Sequence, residues 1–209
     1  MGQGRIDDRR RRGPASLGPL GDERRELLED GKEYTVQYCE RVRLEYHPQN
    51  TAPYDVLLGQ FGGRILSEEY VVDRRAFAGA IAPAPPSEGQ TYFTQTGHNL
   101  GGRFLAYWEK NGGLAQFGYP ITEVRSDTID GVAYETQYFE RARFEYHPEH
   151  AGTPYEVLLG QFGRRIMAEN ALLGEEFARL YLGNGQVRVE LGAPVSAAVR
   201  SDGATQPFE

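Results

Sequence analysis

Four histidines occur in 209 residues, and two of them, His147 and His150, are close enough in sequence to raise a metal pair. A metal site needs three or four converging ligands, and Pro148 interrupts the strand between these two, so the spacing does not put both rings on one face. Glu140 and Glu145 raise a glycosidase acid pair, whose chemistry needs two carboxyls about 5–9 Å apart across a sugar bond. Arg141 and Arg143 are interleaved with them, and carboxylates on such a hairpin pair with the arginines beside them. Cys39 is the single cysteine, which excludes an internal disulfide or a multi-thiolate metal site. No nucleophile elbow, phosphate-binding glycine loop or dinucleotide fingerprint is present. The expectation is a non-enzyme without cofactor or metal.

The residue type in excess is tyrosine, thirteen in all. A tyrosine offers a flat apolar ring with a polar tip. Sugars stack on such rings while Arg, Glu and His bond their hydroxyls. The candidate ligand-binding residues are therefore Tyr46, Tyr54, Tyr119, Tyr138, Tyr146 and Tyr155, with Arg141, Glu145 and His147. The formal net charge of −7 does not suit a nucleic-acid backbone, which calls for a concentrated positive field. No run of 18 apolar residues is present, so no membrane-spanning helix is expected.

Self-comparison shows what must position these residues. Residues 34–48 read YTVQYCERVRLEYHP and residues 134–148 read YETQYFERARFEYHP, identical at Tyr34, Gln37, Tyr38, Glu40, Arg41, Arg43, Glu45, Tyr46, His47 and Pro48 and their partners. PYDVLLGQFGGRIL from Pro53 is matched by PYEVLLGQFGRRIM from Pro154, so one residue is inserted between the two blocks. Cys39 stands where Phe139 stands, which marks the thiol as packed rather than nucleophilic. A third element recurs in fragments: LGPLGDE at 17–23, FGYPITE at 117–123 and LGAPVSA at 191–197.

The strings rich in Tyr, Phe and Thr at 132–139 and 143–147 predict two strands. A tip at Arg141-Ala142 would oppose Glu140 to Arg143 and Phe139 to Phe144, and would put Cys39 opposite Leu44 in the first copy. Phe104, Leu105 and Trp108 recur at helical spacing before Gly112-Gly113, which predicts a helix with Trp108 buried against its own hairpin. Further helices are expected over 67–79 and 174–185. The chain then divides into an Arg-rich tail (1–16), a partial first repeat (17–78), a Pro-rich linker (79–90), a complete second repeat (91–167) and the start of a third with a frayed end (168–209). The fold class expected is α+β, in tandem repeats each of one helix, an LGxP-type turn and a β-hairpin. Stacked repeats would array equivalent tyrosines. The opening residues lack the apolar stretch of a secretory signal.

Gly112-Gly113, Phe117-Gly118-Tyr119-Pro120, Glu123, Asp130-Gly131, Phe139 and Tyr146-His147-Pro148 together resemble the LGFP repeat of actinobacterial cell-wall proteins. The wording is also similar to repeats in extracellular Chloroflexota proteins. The chain departs from that pattern with Phe for Leu in FGYP and Arg141-Ala142 for the usual glycine at the hairpin tip. The resemblance implies an extracellular or cell-surface location and a cell-wall or extracellular glycan as partner, with no nucleic acid and possible contact with other envelope proteins. The alternatives are a structural or protein-interaction repeat, or an accessory module of an envelope hydrolase.

Overall fold

The computed structural model describes residues 18–172 apart from 29, 53 and 73. The expectations for the tail at 1–16, the helix at 174–185 and the turn at 191–197 lie outside the described residues. The described chain is α+β. Its first sheet is an antiparallel meander of β1 (Arg24–Leu27), β2 (Glu33–Tyr38), β3 (Arg43–Tyr46) and β4 (Val56–Leu58), followed by helices α1 (Phe61–Val72) and α2 (Arg74–Ile81). A two-stranded ribbon, β5 (Thr91–Phe93) with β6 (His98–Leu100), leads into helices α3 (Gly102–Lys110) and α4 (Gly113–Phe117). A second four-stranded meander comprises β7 (Arg125–Ile129), β8 (Val132–Tyr138), β9 (Arg143–Tyr146) and β10 (Val157–Leu159). Helix α5 (Phe162–Leu172) closes the described chain. Among the described residues no helix is long and apolar enough to cross a membrane.

The helix expected over 67–79 is thus the middle of a longer stretch, and the repeated VLL forms a short strand, β4 and β10. Asp130 and Gly131 both take positive φ, 49° and 82°, which is the mirror-image turn that Asp-Gly favours between twisted strands. The hairpin tip needs correcting by one residue. Tyr138 pairs with Arg143 and Gln137 with Phe144, while the Phe139 N–H donates to the Ala142 carbonyl at 2.7 Å, so the two-residue tip is Glu140-Arg141. In the first copy Gln37, not Cys39, opposes Leu44. The register is fixed from far along the chain. The N–H groups of Glu140 and Arg141 donate to the carbonyls of Tyr119 and Phe117 at 3.1 Å each, and the Glu140 carbonyl accepts from Gly63 at 3.1 Å.

The two sheets do not stack as successive layers; they face each other through reciprocal contacts. Arg141 Nη1 donates to the Leu58 carbonyl at 3.0 Å, and Arg41 Nη1 donates to that of Leu159. Gly63 N–H meets the Glu140 carbonyl, and Arg164 N–H meets that of Glu40 at 3.0 Å. Arg64 Nη2 lies 2.7 Å from Glu169, and Arg165 Nη2 lies 3.0 Å from Glu68. The Tyr138 hydroxyl donates to Glu69 on α1, whereas the Tyr38 hydroxyl accepts from Asn170 on α5. Each contact has its mate with the halves exchanged, as in an isologous two-fold interface. Both apolar cores are shared accordingly. One joins Cys39, Val42 and Leu44 to Phe139, Phe144, Phe104 and Phe117. The other joins Val36, Phe61 and Ile65 to Tyr138, Phe162 and Ile166.

Trp108 meets its expectation only in part: it packs against the core that holds Phe139 and Phe144 without being fully enclosed. It is half-buried, packs edge-on to Phe93 at 5.6 Å between centroids, and donates its indole N–H to the Gly118 carbonyl at 3.1 Å. It braces the turn at Phe117–Pro120 rather than filling the middle of the hairpin, because α3 presents Phe104 to that core. Glu123, the acidic end of the same turn, holds β6 in place by accepting from the Asn99 N–H at 2.9 Å.

Candidate functional site

The chain from β3 to β4 runs through Gln49, Asn50 and Thr51, in the block where the two repeats lose register. Asn50 Nδ2 donates to the Tyr54 carbonyl at 2.9 Å and shapes this loop. Tyr54 leaves it with its residue 50% exposed. Opposite stands the hairpin tip Glu140-Arg141 and the turn that carries Tyr119, whose N–H donates to Glu140 Oε2 at 3.1 Å. Leu114 of α4, also exposed, completes the wall. These residues line a cleft of about 670 Å³ between the first sheet and the second half of the chain. Its walls combine two tyrosines, amide and hydroxyl groups, an apolar strip from Leu57 and Leu114, and an adjacent carboxylate and guanidinium. That composition matches small-molecule clefts, where an apolar surface carries a few placed polar groups.

Tyr54, Tyr119 and Arg141 are therefore brought together. The other candidates are placed elsewhere. Tyr138 is corrected outright: its ring is 0% exposed and it belongs to a core, with its hydroxyl between Glu69 at 2.6 Å and Arg143 at 3.0 Å. Burial is the main cause that drives its phenol well above the ordinary range. Glu145 is buried and gives one oxygen to Arg143 at 2.8 Å and the other to His147 at 3.4 Å. The two carboxylates considered for acid catalysis thus hold structural partners, Glu145 with Arg143 on its strand and Glu140 with the Tyr119 N–H at 3.1 Å. His147 is half-buried, stacks on Tyr134 at 4.3 Å and lies 2.8 Å from Glu149. That hydrogen bond, the leading cause, together with one to its own backbone N–H, holds the Glu149 carboxyl below its usual value. The Arg103 guanidinium covers the Tyr146 ring at 3.6 Å, and Tyr46 is half-buried against the shared core. Tyr155 is 52% exposed and does not line the cleft.

Tyrosines in equal register share some surroundings and differ in others: Tyr34 and Tyr134 each lie against a histidine, at 4.4 and 4.3 Å, but Tyr54 lines the cleft and Tyr155 does not. Tyr155 is the mate of Tyr54, Arg41 of Arg141 and Glu40 of Glu140, but Gly18 stands where Tyr119 does, its carbonyl accepting from Glu40 as that of Tyr119 accepts from Glu140. Sequence reasoning missed Gln49, Asn50, Thr51, Leu57, Leu114 and Ala115. A usable signal was the inserted residue, since Gln49-Asn50-Thr51 and Glu149-His150-Ala151 diverge where the flanks agree. Among the described residues no three His, Cys, Asp or Glu side chains gather into a metal-holding group.

Comparison of the chain with known protein families, with curated proteins and with solved structures found no match.

Proposed function

We propose that the chain is a non-catalytic binding module of a bacterial cell envelope, acting outside the cell or at its surface, and that its ligand is a cell-wall or extracellular polysaccharide. On this reading the chain is made of LGFP-like tandem repeats, each with a helix, an LGxP-type turn and a hairpin, paired face to face. The observation that carries the proposal is the cleft itself, where Tyr54 and Tyr119 share one wall system with Gln49, Asn50, Glu140 and Arg141. Stacking rings beside amides and a carboxylate–guanidinium pair suit a sugar ring better than a flat protein epitope, which calls for a broad apolar patch.

The test is retention of the full chain on insoluble cell-wall and extracellular polysaccharides. Tyr54→Ala and Tyr119→Ala should each weaken retention by about 1 kcal/mol, the scale of one aromatic contact. Tyr155→Ala is the control, because that ring is as exposed as Tyr54 yet lies outside the cleft. Equal losses from Tyr54→Ala and Tyr155→Ala would refute the site. No retention on any such glycan would refute the function and favour a structural or protein-interaction repeat. Hydrolysis of a wall polymer that Glu140→Gln abolishes would refute the non-enzymatic part.

A further inference from the structure

A second cleft of about 320 Å³ opens on the far side of Leu57 and Arg141, which line both. Its walls differ from those of the first. Tyr34 lies against His47 with ring centroids 4.4 Å apart and planes 42° apart, so an angled two-ring platform faces this space too. Around it stand Asp30, Glu45 and Gln60. The Tyr34 hydroxyl donates to Asp30 Oδ2 at 2.8 Å and His47 Nε2 sits 3.2 Å from Glu45 Oε2.

The charges on this platform are unequal. Glu45 is matched from behind by the buried Arg43 at 2.6 Å. Asp30 has only Lys32, 3.8 Å away, with side-chain exposures of 46% and 75%. Burial opposes ionisation of Asp30, but the Tyr34 hydroxyl, the Lys32 N–H and the Lys32 charge outweigh it and hold the carboxyl below its usual value. Asp30 is thus a lasting negative charge at the mouth of this cleft at neutral pH. Arg141 marks the other end, where the two clefts meet.

Resting on the glycan reading above, we infer that the two clefts form one groove for a linear glycan segment. Its sugar at the Asp30 end carries a free amine, while uronic-acid or phosphate-bearing polymers are disfavoured there. The first cleft supplies rings, amides and hydroxyls for uncharged sugar units. The second adds another ring platform and a carboxylate within reach of a 2-amino group. A polymer threaded past Arg141 passes from one to the other without leaving the wall formed by Leu57. An anionic sugar at the second platform would meet Asp30 and Glu45 with, among the described residues lining the cleft, Arg141 at the junction as the cation free of a carboxylate partner. The halves make this end unique. Glu149 takes the place of Gln49, and the Tyr134 hydroxyl donates to Glu149 at 3.3 Å rather than to Asp130.

Titration calorimetry on the full chain tests this with three tetrasaccharide probes: β-1,4-linked glucosamine, its N-acetylated form, and α-1,4-linked galacturonate. The amine probe should bind tightest and the galacturonate weakest. Asp30→Asn keeps one oxygen for the Tyr34 hydroxyl and gives up the one that accepts from the Lys32 N–H. It should reduce binding of the amine probe by up to about fivefold, as one exposed charge pair does, and leave the acetylated probe unchanged. The amine probe should also lose affinity as salt rises, while the acetylated probe should not. Equal binding of amine and acetylated probes, with no effect of Asp30→Asn, would overturn the amine end and leave the glycan cleft standing. Tightest binding by galacturonate would overturn it as well. If none of the three binds and the polysaccharide retention assay is also negative, the glycan reading fails with it.

Discussion

Gly62 and Gly63 are adjacent in the first turns of α1, and the structure predicts opposite results for the same substitution at each. A Cβ on Gly62 would come 2.8 Å from the Ala142 carbonyl oxygen and 2.9 Å from the Ala142 nitrogen, and would also strike the Phe139 carbonyl. All three atoms are backbone of the hairpin tip, so no side chain can swing away. Overpacking of this kind costs about 1–3 kcal/mol. Displacing the tip would also strain the bonds from Gly63 to Glu140 and from Arg141 to Leu58, each worth about 1 kcal/mol net. Alanine returns about 1 kcal/mol through helix propensity. Gly62→Ala should therefore destabilise the protein by about 2–4 kcal/mol. At Gly63 the nearest atom to a new Cβ is the Glu140 oxygen at 3.8 Å, an ordinary contact, so Gly63→Ala should be neutral or stabilising by up to about 1 kcal/mol. Gly163, whose Cβ would meet the Val42 backbone at 2.7 Å, should behave like Gly62. Urea unfolding followed by far-ultraviolet dichroism reads all three. Equal effects at Gly62 and Gly63 would refute the close approach of the two halves.

Arg64→Ala should cost about 1–3 kcal/mol: it removes a guanidinium 3% exposed that bridges Glu68 and Glu169, while Arg165 still reaches both carboxylates at 3.0 and 2.8 Å. Arg165→Ala, at a 41% exposed side chain, should cost less than about 1 kcal/mol in the same unfolding assay. Burial pushes the Tyr107 phenol up to about 12, against a smaller opposing pull from Arg41. A raised folded-state pKa means the unfolded chain loses that proton first. Stability is then intact below about pH 10 and falls between about 10 and 12, by about 1.4 kcal/mol per pH unit for each such tyrosine. Tyr107→Phe should flatten that fall in urea midpoints measured from pH 9 to 12, and an unchanged slope would contradict it. Trp108→Ala should cost about 3 kcal/mol, the lower end for a large aromatic, since the ring is half-buried. A wild-type fluorescence fully open to iodide quenching would contradict the contact with Phe93 and Gly118.

Strands β2, β3, β8 and β9 and helix α3 were legible because runs of Tyr, Thr and Phe and the Phe104–Trp108 spacing are local signals, whereas β1, β4, β5, β6, β7 and β10, of three to five residues each, carry no such run and were missed. The hairpin tip was missed by one residue because its hydrogen bonds come from Phe117, Tyr119 and Gly63, which no local pattern announces. Gly62 and Gly163 looked like the end of a motif. They sit inside helices, and their lack of a side chain serves a neighbour that lies about 80 or more residues away along the sequence. Tyr54 and Tyr155 are indistinguishable as strings, and the third element separates them, with Tyr119 beside one and Gly18 in the corresponding place for the other. The duplicated string shows that two like units exist; which faces they turn to each other is settled by contacts with no period in the sequence.

The exchange of hairpin tips also sets a timetable for synthesis. Arg41 finds its carbonyl 118 residues downstream, and Leu58 waits for a guanidinium 83 residues later. A nascent chain that has released the first sheet still lacks the groups that seal it, so its tip and the opening turn of α1 stay wet until the second sheet has emerged. Contacts of such long separation slow folding, since loop closure precedes the gain from contact. Translation of this chain therefore passes through a stretch in which half a fold stands open, and chaperones would meet it there rather than at the finished surface.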